Sequence, residues 1–335
     1  MNPPKPTDVM MQLMGGFQVS QAVYVAAKLD VPTILDEAGG PLTVSELAGK
    51  SGAQVPQLRR LLRTLASLGL FTLEGDRVSL APIGATLSRN ASASLYGMAV
   101  MWMETHYAPF SDLLHTLRTG EPAATHHLGK PFFDWVNENP DRSQQFSDAM
   151  AAVTSGLRTG AFDDYPVPDG ELIADIGGAD GSVLVELLKG LPDRRGIVFD
   201  LPPVLPAARS TLAAQGLDDR VEVVGGDFFD SVPVADIYVL SYILHDWDDD
   251  AAIRLLRTAA KAGGPGARVL IVETIVPDGS EPHLAKMVDL TMLGMLTGME
   301  RSEKEYQSLL NAAGISIDRV VSTRTPFSII EATVN

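Results

Sequence analysis

The residues whose types and spacing suggest chemistry begin with a glycine-rich loop, Asp175-Ile-Gly-Gly-Ala-Asp-Gly181. Glycines let the backbone turn sharply at the end of a strand and approach a ligand closely. A dinucleotide fingerprint starting at Gly177 would place its other two glycines at Ala179 and Ser182, so two of its three positions fail. Asp175 would also repel a pyrophosphate, whereas it suits a ligand with an amino group and a sulfonium cation. Alternatively, Asp175 caps a helix or braces the loop.

Two more carboxylates follow the next two apolar runs. Asp200 lies 25 residues after Asp175 and is placed to accept both hydroxyls of a ribose. Asp227 follows Gly225-Gly226 and can accept from an adenine amino group, while Phe228 can cover the ring face. The ends of successive parallel strands meet at one edge of a sheet. The series therefore predicts one crevice for a cationic nucleoside ligand.

The composition limits the classes of partner. Lys and Arg total 26 against 42 Asp and Glu, so the formal net charge is −16 and the surface repels nucleic acid and anionic membranes. The chain has no cysteine, which excludes disulfides and thiolate metal sites. It has no apolar run of membrane-spanning length and no signal-peptide pattern at its start. A cytoplasmic location is expected.

The N-terminal part of the chain has the pattern of a winged helix. Apolar residues at helical spacing over 9–36 predict helices that break near Gly15-Gly16 and at Pro32. Thr43 and Glu46 have the spacing of a capping box, and a second helix is predicted over 55–68. Alternating residues around Glu74-Gly-Asp76 then predict a β-hairpin. We expect a winged-helix domain over 1–95 and a helical linker over 96–165.

The remaining residues, 166–335, have the pattern of an α/β domain. Most of the apolar runs suit strands buried on both faces, and amphipathic helices separate them. The strand candidates are 171–175, 196–200, 220–225, 235–240 and 267–273, followed by an antiparallel edge pair, 316–323 and 327–334. The fold class expected is α/β, with a doubly wound Rossmann-like sheet that follows the N-terminal α-helical winged-helix domain in the sequence.

Several motifs in a fixed order carry a family resemblance. They are FSDAM (146–150), DIGGADG (175–181), FDLP (199–202), GGDFF (225–229), LHDW (244–247), VETIVP (272–277) and GMERSEKEY (298–306). With the winged-helix part, they make nearly the whole chain resemble the S-adenosylmethionine (SAM)-dependent small-molecule O-methyltransferases. That family is typified by plant caffeic-acid and flavonoid enzymes and their bacterial natural-product counterparts.

The resemblance implies a cofactor, a product and an assembly. SAM would be converted to S-adenosylhomocysteine, and the N-terminal domain would form a homodimer. The residues expected to hold the cofactor are Asp175, Gly177, Gly178, Asp200, Leu201, Gly226, Asp227, Phe228, Ser241 and Trp247. Two positions depart from the family pattern, because Ala179 replaces a glycine of the loop and Ser241 replaces the lysine of plant members. A methyl group at Ala179 is expected to be tolerated.

The resemblance also implies the catalytic residues. His245 matches the general base of the family, and Glu273 and Glu300 match the two acidic residues that flank it. A phenol has a pKa of about 10, so an imidazole within hydrogen-bond reach is a suitable proton acceptor. Glu273 is expected to hold the imidazole in one tautomer, and Glu300 to do the same or to orient the substrate. No metal is required for this transfer.

An apolar group of residues is expected to line the site of a small hydroxylated, aromatic acceptor. Its members are Trp102, Phe146, Met150, Asp246, Met292, Met295 and Met299. Met and aromatic side chains suit flat apolar ligands, although the same spacing also fits plain core. Asp246 alternatively caps the helix that follows it.

Three other functions remain as alternatives. A SAM-binding relative could have changed its reaction, for example to hydroxylation, although His245, Glu273 and Glu300 argue against this. A winged-helix regulator would use the arginines of 55–68, but the net charge opposes phosphate binding. A dehydrogenase is disfavoured by the failed dinucleotide fingerprint.

Overall fold

The computed structural model describes residues 5–335, and at 153–155 it describes the backbone alone. The strands are β1 (Leu42–Thr43), β2 (Phe71–Glu74), β3 (Arg77–Leu80), β4 (Leu172–Ile176), β5 (Arg195–Asp200), β6 (Val221–Gly225), β7 (Ile237–Ser241), β8 (Arg268–Glu273), β9 (Ile315–Ser322) and β10 (Ser328–Val334). The first helices are α1 (Pro6–Met14), α2 (Gly16–Lys28), α3 (Val31–Ala38), α4 (Val44–Ser51), α5 (Val55–Ser67), α6 (Pro82–Ala85), α7 (Tyr96–Met101) and α8 (Leu113–Thr119). The others are α9 (Ala123–Leu128), α10 (Phe132–Asn137), α11 (Pro140–Arg158), α12 (Ser182–Leu187), α13 (Leu205–Ala214), α14 (Asp249–Gly263), α15 (Leu284–Met295) and α16 (Glu303–Ala312).

The N-terminal unit extends to Ser111 and also contains Phe133–Gly156. Its small antiparallel sheet has the order β1-β3-β2. The capping box predicted at Thr43 is confirmed, since its side chain accepts the N–H of Glu46 while the Glu46 carboxylate accepts the N–H of Thr43. Apolar residues at helical spacing along α5 form the core, and the predicted hairpin is present as β2 and β3. The helices and the hairpin therefore have the winged-helix pattern.

The first three helices leave an apolar surface. The chain breaks at Gly15, as the sequence predicts, and again after α2, with Pro32 in the first turn of α3. Along α1 and the start of α2 the exposed side chains are mostly apolar, and Met11 and Leu13 are 65% and 69% exposed. Such a surface is costly to leave in water.

The second unit comprises Asp112–Phe132 and Leu157–Asn335 and is built on a seven-stranded sheet of order β6-β5-β4-β7-β8-β10-β9. The five strands from β6 to β8 are parallel, and β10 runs antiparallel to both β8 and β9. All seven strands lie within two residues of their predicted bounds. The strand order reverses between β4 and β7, which is where doubly wound sheets bind ligands.

Two hydrophobic cores cover the two faces of this sheet. Along β4, Ile173 belongs to one core, while Ala174 and Ile176 belong to the other. Alternating side chains thus enter opposite layers of helices, which is why the strand is apolar on both faces apart from Asp175 near its end. The expected domain bounds 1–95, 96–165 and 166–335 stay a prediction. Within residues 5–335, no helix combines the length and the apolar character needed to cross a membrane.

Candidate active site

The glycine loop follows β4 and surrounds a buried acid. The N–H groups of Gly177 and Gly178 donate to the carbonyl oxygen of Phe199 at 2.8 and 3.3 Å, and Gly177 has a φ of +72°. Asp175 is buried, and its Oδ2 has no hydrogen-bond partner among the described residues. Burial raises the pKa of Asp175 to about 7, with Arg158 opposing the shift. A Cβ at Gly178 would lie 2.7 Å from Asp175 Oδ2, so a glycine is needed there.

Asp200, at the end of β5, braces the loop. Its Oδ2 accepts the N–H of Ala179 at 2.9 Å and its Oδ1 accepts the N–H of Leu201 at 2.6 Å. A carboxylate has about four acceptor positions, so both oxygens can accept a further hydrogen bond. Ala179 has a φ of +43°, a left-handed conformation that strains a residue with a Cβ. The methyl group is therefore accommodated at a cost in backbone strain.

The loop after β6 carries an aromatic group. Phe228 lies edge-to-face against Trp247, with ring centroids 5.9 Å apart, and Phe229 lies 4.7 Å from the same indole. Asp227 is exposed, and its Oδ1 accepts the N–H of Phe229 at 2.8 Å. A Cβ at Gly226 would lie 2.6 Å from the ring of Phe199. A planar ligand beside Phe228 would meet a ring that its neighbours already orient.

The end of β7 supplies a second buried polar atom without a partner. Ser241 Oγ is buried, and no described residue forms a hydrogen bond with it. Tyr242 follows with a φ of +61°, which is rare for an aromatic residue. Its ring packs on the imidazole of His245, with centroids 3.8 Å apart, and lies edge-to-face against Phe327. Tyr242 therefore both turns the chain out of the sheet and covers one face of the histidine.

His245 is buried and held at one ring nitrogen. Its Nδ1 lies 2.6 Å from Oε1 of Glu300, whose other oxygen accepts the hydroxyl of Thr274. Since a carboxylate can only accept, Nδ1 carries the proton and Nε2 is the accepting nitrogen of the neutral ring. Nε2 faces Asp246, whose Oδ1 is 3.5 Å away.

The charges around His245 strongly favour its protonated form. Burial opposes protonation, but Asp246, with Glu300 next, outweighs it and raises the pKa of His245 to about 9. Burial also raises the pKa of Asp246, against the lowering effect of the histidine. The imidazole thus lies between two acidic groups, one at each ring nitrogen.

Glu273 is placed differently from the sequence expectation. Its Oε1 accepts three backbone hydrogen bonds, from Ile243 (3.0 Å), Leu244 (2.6 Å) and His245 (3.3 Å). Its Oε2 accepts the hydroxyl of Tyr306. The expectation that Glu273 orients the imidazole was wrong, because Glu300 makes that contact. Glu273 instead holds the backbone of the turn that presents the ring.

Arg301 and Gly298 fix the same turn from the segment after α15. The buried Arg301 guanidinium donates to the carbonyl oxygens of Leu244 (2.9 Å) and Trp247 (2.8 Å) and pairs with Asp249. A Cβ at Gly298 would collide with the backbone of His245 and Asp246. The close approach of the two segments therefore requires a glycine.

Sequence reasoning missed four residues that support the site: Tyr242, Thr274, Arg301 and Tyr306. Tyr306 and Arg301 lie in the segment 298–306, but a spacing pattern does not reveal which backbone or side-chain atoms they contact.

The residues expected to line the acceptor site divide between the two units. In the second unit Met292 and Met295 are buried, Met299 is partly buried, and Asp246 faces His245 as described. In the N-terminal unit Phe146 lines a cavity of about 770 Å³ together with Tyr96 and Trp135. Trp102 is 45% exposed, and neither it nor Met150 lines that cavity. The binding roles of all seven stay predictions.

The described residues fit SAM as a ligand. Buried polar atoms normally have partners, yet Asp175 Oδ2 and Ser241 Oγ lack them at the ends of adjacent strands. An ammonium group and a sulfonium would satisfy the acid, and Gly177 leaves the backbone free to approach. With the strand order and the histidine after β7, these features define a Rossmann-like SAM-dependent methyltransferase.

Comparisons with known proteins give the family. An O-methyltransferase dimerisation domain matches residues 11–90, and an O-methyltransferase domain matches residues 110–316. A phenazine O-methyltransferase of Lysobacter antibioticus is 38% identical over 97% of this chain and 96% of its own. An 8-amino-8-demethylriboflavin N,N-dimethyltransferase of Streptomyces davaonensis is 34% identical over 94% of this chain and 91% of its own.

A solved structure agrees with the sequence relatives. An O-methyltransferase from neocarzinostatin biosynthesis, in complex with SAM and 2-hydroxy-5-methyl naphthoic acid, matches with a TM-score of 0.82 at 34% identity. The match covers 95% of this chain and 96% of that one. The chain therefore belongs to this family of O-methyltransferases with an N-terminal dimerisation domain, and it is a SAM-dependent enzyme.

Proposed function

We propose that the enzyme methylates a phenolic hydroxyl of a small aromatic molecule, with His245 as the proton acceptor. The observation that carries this proposal is the arrangement at the imidazole. Glu300 engages Nδ1 at 2.6 Å, so Nε2 is the nitrogen left to accept a proton. A buried base held in one tautomer is what proton removal from a phenol requires.

The residues proposed to hold SAM are those with unused hydrogen-bonding capacity at the strand ends. Asp175 would meet the positive charge of the methionine part, and Ser241 would donate or accept beside it. Asp200 would bind the ribose hydroxyls through its remaining acceptor positions. Phe228, held by Trp247, would cover the adenine, with Asp227 at its amino group. Leu201 and Gly226 would complete this end of the site.

In this proposal, His245 removes the hydroxyl proton of the substrate. When bound, SAM supplies a methyl group already activated by a sulfonium, whose positive charge also lowers the pKa of a nearby imidazole. Neutral His245 takes the hydroxyl proton of the methyl-accepting substrate at Nε2. Glu300 stabilises the imidazolium that forms. Such assistance is typically worth about 10² to 10⁴ in rate. Glu273 and Arg301 keep the turn in place while the ring changes charge.

Asp246 is proposed to orient the acceptor. Its Oδ1 lies 3.5 Å from Nε2, next to the position that a reacting hydroxyl must occupy. Its carboxylate oxygens can accept a hydrogen bond from the hydroxyl of the acceptor. Met292, Met295 and Met299, which belong to the same unit as His245, would supply apolar contacts to the acceptor.

The relatives support an aromatic acceptor. The Lysobacter enzyme is named for a phenazine, and the solved neocarzinostatin enzyme contains a hydroxynaphthoic acid. We extend that class, a hydroxylated aromatic natural product, to this chain. The riboflavin relative methylates an amino group, so an aromatic amine is the competing acceptor.

A homodimer through the N-terminal unit forms part of the proposal. The dimerisation domain matches 11–90, and the exposed apolar side chains of α1 and α2 lie partly within that range. Burying them against a second copy would remove the cost of their exposure. Light scattering after size exclusion should give twice the chain mass. The double variant Met11→Glu, Leu13→Glu should shift the measured mass towards that of one chain, because it places charges on the exposed apolar surface.

The test uses labelled SAM with a panel of phenols and matched anilines. His245→Gln should lose at least about 100-fold in turnover of the phenol while its SAM affinity stays within a few-fold. His127→Gln, at an exposed histidine, is the matched control. Full activity of His245→Gln, or methylation of the aniline alone, would contradict the proposal. A mass gain of one oxygen in place of CH₂ would identify hydroxylation.

A further inference from the structure

Three side chains of metal-binding type meet on the segment 112–132, and none of them belongs to the active site. They are His115 on α8, Glu121 in the loop that follows it, and His126 on α9. Nε2 of His115 lies 2.7 Å from Oε2 of Glu121. The two imidazoles are stacked, with centroids 3.8 Å apart and planes inclined by 12°. One donor atom from each residue lies within 4.8 Å of the other two.

The local fold holds these residues together without any ion. Helix α8 ends at Thr119, the following Gly120 has a φ of +81° that reverses the chain, and Pro122 leads directly into α9. Ala123 and Ala124 are buried and anchor the inner face of α9, while Glu121 and His126 are exposed on the outside. The backbone is thus fixed, while the exposed donor side chains can still rotate.

The donor set matches a transition metal better than a hard cation. Two imidazole nitrogens and one carboxylate oxygen, with water in the fourth position, are a frequent set for four-coordinate Zn²⁺. Metal–ligand distances of about 2.0–2.1 Å place tetrahedral donors roughly 3.4 Å apart. The present separations of up to 4.8 Å must shorten by up to about 1.4 Å, and at least one of the stacked imidazoles must rotate so that both rings point a nitrogen at one ion. The exposed side chains of Glu121 and His126 are free to make most of this adjustment. The net charge of −16 attracts cations to the surface.

We propose that His115, Glu121 and His126 form a surface site for a divalent transition-metal ion, best matched by Zn²⁺. The ion would fasten α8 to α9. It would take no part in methyl transfer, since the site shares no residue with the catalytic centre. The adjacent His127 lies outside the donor set, because its Nδ1 is paired with Asp112 at 2.9 Å. It therefore offers a matched control one residue away.

The test is calorimetric titration of chelator-treated full-length enzyme with ZnCl₂. The wild type should bind one ion per chain in this site and melt at a higher temperature in its presence. His126→Ala and Glu121→Gln should weaken binding at least about tenfold, whereas His127→Ala should bind like the wild type. Far-UV circular dichroism and the melting temperature without metal establish that each variant is folded.

Three results would overturn the assignment. One is the absence of Zn²⁺ binding by the wild type at a total concentration of about 0.1 mM. Another is an equal loss of binding in His127→Ala and His126→Ala, which would indicate unspecific association with histidines. The third is Mg²⁺ binding as tight as that of Zn²⁺, because Mg²⁺ prefers oxygen ligands and octahedral geometry.

Discussion

Replacing Glu300 by glutamine keeps the shape of the side chain and removes the charge beside His245. The two groups are buried and 2.6 Å apart at their nearest atoms. With charge centres roughly 4 Å apart and an effective dielectric constant of about 20, the attraction is about 4 kcal/mol. The amide oxygen of glutamine still accepts a hydrogen bond worth about 1 kcal/mol. The net loss of about 3 kcal/mol corresponds to about two pKa units.

The imidazole pKa of about 9 should therefore fall to about 7 in Glu300→Gln. Histidine resonances of the ligand-free enzyme, titrated by NMR, measure this directly. The chain has six histidines, and the signal of His245 is assigned as the one that is missing from the spectrum of His245→Gln. Glu303→Gln removes an exposed carboxylate nearby and should leave the titration of His245 unchanged.

The rate profile tests the same reasoning in the working enzyme. A weaker base is neutral at lower pH, so the acid limb of kcat/KM for the phenol should move to lower pH in Glu300→Gln. The value of kcat/KM on the plateau above this limb should fall by about tenfold, because a base weaker by about two pKa units loses about one power of ten in rate at a Brønsted slope of about 0.5. An acid limb at the wild-type position, with an unmoved NMR titration, would refute the role given to Glu300.

Three other substitutions test the site. Asp175→Asn should weaken SAM binding at least about tenfold at pH about 8. In calorimetry the wild type should bind SAM more tightly as the pH rises through the pKa of Asp175, about 7, and the variant should lose this dependence on pH. Unchanged affinity would exclude the charge contact. Ala179→Gly should raise the free energy of unfolding in urea by about 0.5 to 1 kcal/mol, because Ala179 has a positive φ, whereas Ala207→Gly in α13 should lower it. A lower value for Ala179→Gly would contradict the strain. Gly298→Ala should reduce kcat about 100-fold by displacing His245, with SAM affinity within a few-fold of the wild type in a labelled-SAM binding assay. Normal turnover would show that the contact can relax.

The sheet could be predicted from the sequence because its signals are local. Apolar runs between turn residues marked all seven strands of the second unit, and the capping box at Thr43 marked the start of α4. The positions of Asp175 and Asp200 at or near strand ends followed from the same pattern, whereas His245 was identified through the family resemblance. These features depend on neighbouring residues in the chain, so a single sequence contains them.

The division of labour between Glu273 and Glu300 could not be predicted. Ser241 pairs with Val272 in the parallel register, so Glu273 extends alongside the point where the chain leaves β7. The backbone N–H groups that lose their sheet partners there are within its reach. That placement depends on register and on the turn at Tyr242, which no spacing in the sequence specifies. With Glu273 occupied by the backbone, Glu300 is the acid that binds the imidazole of His245.

The support that Glu273 gives to the catalytic turn has a consequence for the enzyme under heat. A turn held only by its own hydrogen bonds would open well before the rest of the unit. This one is tied to β8 through Glu273 and to α16 through Tyr306, and both contacts are buried. Thermal inactivation and the loss of secondary structure should therefore follow a single curve, with no folded but inactive form between them.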